Sequence, residues 1–298
     1  MRTLDIATLL GQEREHIEEA LKVNLPDQGE YPSRIHEAIR YSALGGGKRL
    51  RPIISLASVD ALGLNRSAVV KAACSIEYVH CCSLVLDDLP SMDNAATRRG
   101  RPTTHRVFGV ATGILAADAL LMHAFKLVAD NGVELGAQGP QIARAVRDLA
   151  TAVGSYGMVG GQHVDLEASG RGATDKETLD YIQTRKTGAL FVVAATIGGT
   201  LLGADSDELG RIGRFARDLG IAYQIVDDLL DWEGDPDVMG KDVGMDRGKV
   251  TFVTVYGTDV AKQTAERLVS DAVSSLSGLH GDTTLLRELA AYCLDRAS

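Results

Sequence analysis

The stretch Thr187-Gly-Ala-Leu-Phe-Val-Val-Ala-Ala-Thr-Ile-Gly-Gly-Thr-Leu-Leu202 decides the fold. It carries no charge, and at helical spacing its apolar residues cover most faces instead of one stripe. Such a helix lies inside a bundle with neighbours all round it. Segment 109–129, Gly109 to Ala129, reads the same way. Outward from these two, alanine- and leucine-rich helical spacing recurs over about 4–24, 33–44, 52–62, 67–88, 104–131, 139–169, 175–202, 206–233, 250–276 and 283–296. Strand signals are weak. The prolines (Pro26, Pro32, Pro52, Pro90, Pro102, Pro140, Pro236) sit where such segments start or stop. The breaks at 44–51, 89–103, 170–175 and 234–250 are short glycine-rich or charged loops, with no linker and no internal period. The expectation is an all-α protein, one domain over 1–298.

The chain has 298 residues, 45% of them hydrophobic, enough for a large core. Lysine and arginine total 31 against 40 acidic residues, a net charge of -9, and no long basic run offers a surface for nucleic acid. The partners implied are small molecules. Cys74, Cys81, Cys82 and Cys293 show no metal or redox spacing and suit reduced, buried thiols. The first residues turn acidic before any signal-like core, and no uncharged apolar run of about 18 residues suggests a transmembrane segment. The compartment expected is the cytoplasm.

Two acidic clusters follow apolar stretches. In Leu86-Asp-Asp-Leu-Pro-Ser-Met-Asp93, an unbroken helix would set Asp87 and Asp93 about 240° apart, so the chain must bend near Pro90 if they share a ligand. In Gln224-Ile-Val-Asp-Asp-Leu-Leu-Asp231, Asp227 and Asp231 project from one helical face, with Asp228 beside them. An acidic helical turn is ordinarily a solvated surface. Here the preceding CCSLVL and IAYQIV carry the carboxylates to where buried helices reach a cavity, and unpaired carboxylates there are costly. Magnesium, which takes oxygen ligands and shares them with phosphate, would satisfy them. Basic turns complement the acids: Gly45-Gly-Gly-Lys-Arg-Leu-Arg-Pro52, Arg98-Arg-Gly-Arg-Pro102, Gly240-Lys241 and Gly248-Lys249 suit phosphate oxygens. GGGK lacks the spacing of a nucleotide-binding P-loop.

On these residues the chain resembles the trans-prenyl diphosphate synthases, the head-to-tail synthases that include farnesyl and geranylgeranyl diphosphate synthases. The matching elements, in order, are GGKRLRP (46–52), EYVH (77–80), DDLPSMD (87–93), RRGRPT (98–103), GGQHVDL (160–166), KTG (186–188), YQIVDDLLD (223–231) and GK (240–241). The resemblance implies a bundle of long antiparallel helices around a central cavity, magnesium (or manganese in its place) and a homodimer. It assigns Lys48, Arg51, His80 and Arg99 to isopentenyl diphosphate. Arg98, Lys186, Lys241 and Lys249 would hold the allylic diphosphate. Asp87, Asp93 and Asp227 match the principal metal ligands, Asp88 and Asp231 supporting ones, and Thr187 and Gln224 line the reacting carbons.

The chain departs from many relatives at Asn94, Ala95 and Ala96, which stand where further aspartates occur, and in the short loop Asp246-Arg-Gly-Lys249. Both traits resemble the carotenoid-pathway geranylgeranyl synthases. Cys82 and Ser83, one turn before Asp87, are small where synthases that stop at fifteen carbons tend to carry an aromatic, so the expected product is geranylgeranyl diphosphate. The alternatives are a farnesyl diphosphate synthase or a non-catalytic regulatory partner of an active synthase. Intact aspartate motifs speak against the latter.

Overall fold

The computed structural model describes residues 6–171, 175–233 and 251–296. Periodicity located the helices, and glycines and short turns set their ends. Helices α1 (Ile6–Val23), α2 (Ser33–Ala43), α3 (Leu50–Ala61) and α4 (Val70–Asp87, entered through a 3-10 turn at Arg66–Val69) follow the expected segments within a few residues. Segment 104–131 forms two helices, α5 (Thr104–Phe108) and α6 (Val110–Glu134), because Gly109 takes φ 90 and interrupts the spiral. Segment 139–169 likewise divides into α7 (Gly139–Val153) and α8 (Met158–Arg171). Then come α9 (Lys176–Ile182), a π-helical turn (Gln183–Gly188), α10 (Ala189–Leu201) and α11 (Ser206–Glu233). Gly257, at φ 80, separates α12 (Phe252–Tyr256) from α13 (Thr258–Ser275), and α14 (Thr284–Asp295) follows.

Helix α10 is enclosed as its composition requires, from Leu190 through Leu201 almost throughout. It packs against α3, α7 and α11. Gly198 and Gly199 make the approach possible, since a Cβ on either would lie 2.7 Å from Val59 or Leu62. Helix α4 runs along α6, and α11 along α13. Tyr78 of α4 is fully buried and donates its hydroxyl to the Leu21 carbonyl at 2.8 Å, tying α1 to this centre.

Helix α6 departs from expectation. Its composition predicts neighbours all round it, yet Val110, Ile114, Leu115 and Met122 are exposed, Leu115 by 57%. Its other flank, with Ala116, Ala117, Leu120 and Ala124, is buried. By length and composition, 66–87 and 110–134 could each cross a bilayer; the first is mostly buried in the bundle.

The only strands among the described residues form a two-stranded ribbon, β1 (Thr97–Arg98) against β2 (Arg101–Pro102). Arg99 (φ 54) and Gly100 (φ 72) make its two-residue turn, the left-handed pair that tight hairpins require.

Candidate active site

A cavity of about 440 Å3 opens among α3, α4, α8, the π turn and α11. Arg51, His80, Asp87, Lys186, Thr187 and Gln224 share its wall. Ser83, Leu86, Val159, Leu166 and Leu190 line it as well.

The first acidic cluster bends as required. Helix α4 ends at Asp87, and the chain folds back so that the Asp93 amide donates to the Asp87 carbonyl at 2.9 Å. Asn94, at φ 49, completes the reversal. Burial pushes the Asp87 acid up to about 6; Lys186 opposes the shift, and the Asp93 charge adds to it. Asp88 has a different environment. It is 3% exposed and receives Arg98 Nε on both oxygens at 2.9 Å, with Nη2 at 2.7 Å from Oδ1. The hairpin turn thus aims Arg98 inward to Asp88, while Arg99 reaches the Gly46 carbonyl. Arg98, assigned to the allylic diphosphate, and Asp88, assigned to metal, are committed to each other in this structure.

The second cluster shows the same division. Asp228 is 7% exposed, accepting from Gln224 Nε2 at 2.9 Å and from the Phe252 amide at 3.0 Å. Gln224 Oε1 in turn accepts from the Thr187 hydroxyl at 3.2 Å. Asp227, one turn beyond Gln224, receives Arg296 Nη2 at 2.5 Å. Asp231 lies one further turn along the same helix, half-buried. Asp87 lines the cavity and Asp227, one turn past Gln224, does not; in each motif the second aspartate is bonded into the fold.

The cationic residues converge from several elements. Lys48 Nζ donates to the Tyr223 hydroxyl at 3.2 Å, and Arg296 stacks on the same ring at 4.3 Å from its centre. Arg51 lies over Phe191 at 4.6 Å, its buried Nε without a hydrogen-bond partner. Burial and then the charges of Arg51, Arg99 and Arg98 push His80 well below the ordinary histidine value, so it is neutral at pH 7 and can donate one N–H. Lys186 Nζ donates to Asp165 of GGQHVDL at 2.6 Å. The π turn carrying Lys186 and Thr187 meets α8 at Gly161, where a Cβ would lie 2.4 Å from the Lys186 nitrogen. Such turns recur at functional sites. Cys82 is 2% exposed and off the cavity wall; burial, then Asp118 of α6, push its thiol up to about 12. Of the two residues expected to set chain length, Ser83 lines the cavity and Cys82 does not. Lys241 and Lys249 lie outside the described residues.

The residues fit a hard divalent cation. Its donors would be oxygens alone, from α4 and α11, leaving positions for water and diphosphate. Asp87 is short of positive charge, and at Asp227 a guanidinium stands in for a cation. Among the described residues no three His, Cys, Asp or Glu side chains form a ready-made cage. An ion shared with substrate needs none.

Neighbouring substitutions should therefore act in opposite directions on the metal-free protein. Folding raises the Asp87 pKa from 3.8 to about 6, so its ionisation opposes folding. The penalty is absent below about pH 4, grows through the interval and is complete above about 6. Asp87→Asn should stabilise the protein at pH 7.5 by on the order of 3 kcal/mol, and leave it unchanged near pH 4. Asp88→Asn weakens the pair with Arg98 and should cost about 1–3 kcal/mol. Urea unfolding at the two pH values measures both.

The comparisons with known proteins agree with this geometry. A family model described as polyprenyl synthetase matches residues 32–279. A geranylgeranyl diphosphate synthase of Cyanophora paradoxa is 36% identical over 98% of this chain and 97% of its own. Geranylgeranyl pyrophosphate synthase 4 of Arabidopsis thaliana is 40% identical over 84% of this chain and 68% of its own. Among solved structures, an FPP/GFPP synthase of Zymomonas mobilis superposes with a TM-score of 0.84 at 34% identity, covering 96% of this chain and 98% of that one.

Proposed function

The chain belongs to the polyprenyl synthetase family, and on that premise we propose that it condenses isopentenyl diphosphate head to tail with an allylic diphosphate to give geranylgeranyl diphosphate. The observation that carries the reading is the shared cavity: Asp87, Lys186, Thr187 and Gln224 on its wall with Arg51 and His80, above an apolar part bordered by Ser83.

Lys48, Arg51, neutral His80 and Arg99 bind the diphosphate of isopentenyl diphosphate, whose oxygens would satisfy the orphaned Nε of Arg51. Lys186 binds the allylic diphosphate; Lys241 and Lys249, outside the described residues, are assigned the same role. Asp87, Asp93 and Asp227 would hold magnesium, with Asp231 in support, and magnesium when bound neutralises charge growing on the departing diphosphate. Asp228 fixes the Gln224 amide, whose oxygen accepts the Thr187 hydroxyl's hydrogen bond and leaves the hydroxyl lone pairs free to face a developing allylic cation. Leu86, Val159, Leu166 and Leu190 offer that cation an apolar lining in place of polar groups. The double bond of isopentenyl diphosphate then forms the new carbon–carbon bond, and a proton leaves to the released diphosphate. No protein nucleophile is needed.

Mass spectrometry after incubation with labelled isopentenyl diphosphate and dimethylallyl, geranyl or farnesyl diphosphate tests this. The expected end product has twenty carbons from every starter. Accumulation of the fifteen-carbon product, or no consumption of label, would refute the product or the activity respectively.

The exposed apolar face of α6 supports a second copy as partner, with the whole chain as one domain. Light scattering should give about twice the 31.7 kDa of one chain, and Leu115→Glu should shift the mass toward one copy. Four buried free thiols support a reducing compartment, the cytoplasm.

A further inference from the structure

Two charged residues of the GGKRLRP and EYVH motifs have no part in the site as built so far, and they meet each other. The Arg49 side chain, fully buried, donates through Nη1 to Glu77 Oε1 at 2.5 Å. Its Nε reaches Glu18 Oε1 at 2.7 Å, and Nη2 the Ala43 carbonyl at 2.8 Å. One guanidinium thus joins α1, the end of α2, the start of α3 and the middle of α4. Burial works against its charge, but Glu77 and Glu18 more than offset this and hold the guanidinium above its ordinary value.

What stands beside the pair gives it meaning. Arg49 lies between Lys48 and Arg51, and Glu77 is one helical turn before His80. Arg49 adopts a left-handed backbone, φ 52 and ψ 31, at the start of α3. Its side chain goes into the bundle while Lys48, next to it, stays exposed and reaches Tyr223. Of the residues assigned to one diphosphate besides Arg99 of the hairpin, Lys48 and Arg51 come from the turn into α3 and His80 from the middle of α4. Arg49–Glu77 is a direct, buried link between them.

Resting on the isopentenyl diphosphate reading above, we infer that Arg49 and Glu77 are positioning residues, a strut that sets the spacing of Lys48 and Arg51 against His80 without touching substrate. A buried ion pair kept for stability alone can often be exchanged for well-packed apolar residues with little loss. A strut cannot, because the planar guanidinium fork also fixes direction.

The test uses the full-length protein and separates KM from stability. In Arg49→Met/Glu77→Met both buried charges are removed together. We expect folding to persist by circular dichroism while KM for isopentenyl diphosphate rises about tenfold, as follows when binding groups shift by fractions of an ångström. KM for the allylic diphosphate should change less than about twofold, since Lys186 is held separately by Asp165. An unchanged KM for isopentenyl diphosphate in the folded variant overturns the inference, as does an equal rise in both KM values. If the double variant does not fold, Arg49→Lys decides: it retains the charge but loses the fork, and the same selective rise is expected, an unchanged KM being contrary. Wild type is assayed first. If it consumes no labelled isopentenyl diphosphate, the functional reading fails; if it is active and the variants match it, only the strut fails.

Discussion

Alanine at Asp227 or at Asp87 is expected to lower kcat about a thousandfold or more at saturating magnesium, a loss of about 4 kcal/mol of transition-state stabilisation. The size follows from what the side chains face. Burial pushes the Asp87 acid up despite Lys186, with the Asp93 charge adding to the shift, and Asp227 meets the Arg296 guanidinium. With either gone, a highly anionic diphosphate departs with part of its charge unopposed. Asp88 and Asp228 are expected to behave otherwise. Their carboxylates are bonded to Arg98 and to Gln224 with the Phe252 amide, so their alanine variants should lose stability first and activity as a consequence. Steady-state kinetics beside thermal unfolding separates the two classes. Full activity in a folded Asp227→Ala protein would sink the metal assignment.

The second large effect concerns product length. Ser83 faces the cavity from α4, one turn before Asp87, and its hydroxyl is satisfied within the helix by the His80 carbonyl at 2.8 Å. Phenylalanine there projects into the space a growing chain would use without leaving a polar group unpaired. An extra isoprene unit gains about 0.8 kcal/mol per buried methylene, roughly 4 kcal/mol over five carbons, and the ring removes most of that space. Ser83→Phe should convert the product from mostly twenty to mostly fifteen carbons by chromatography. Tyrosine at Cys82, attractive from sequence spacing alone, should cost about 1–3 kcal/mol by overpacking, with less effect on length. An unaltered product profile in Ser83→Phe would move the length-limiting wall elsewhere, to α8 and its Val159 and Leu166.

Much of this was legible in the residues. Segment 206–233 is one helix from end to end, and the acidic motif after Pro90's approach turns back as the geometry of a shared ligand demands. Periodicity could not see the breaks at Gly109 and Gly257, because a single left-handed glycine leaves the apolar pattern on both sides intact. Nor could it tell that α6 is covered on one flank only: composition reports that a face wants burial, not which surface supplies it. The site was legible as a set of charges but not as pairs. Nothing in spacing joins Arg98 to Asp88 in preference to substrate, or Arg49 to Glu77. Arg296 gave no signal, being a lone arginine far along the chain from the aspartate it meets. Asp165 stood in a quoted motif without a role until its bond to Lys186 was seen.

Calorimetry with an unreactive thio-analogue of the allylic diphosphate tests the central claim most directly, because binding is read without turnover. Carboxylates on α4 and α11 that grip one diphosphate through cations require tight binding only with magnesium present, and at least about tenfold weaker binding in both Asp87→Asn and Asp227→Asn. Equal affinity with and without magnesium, or wild-type affinity in either variant, would contradict it.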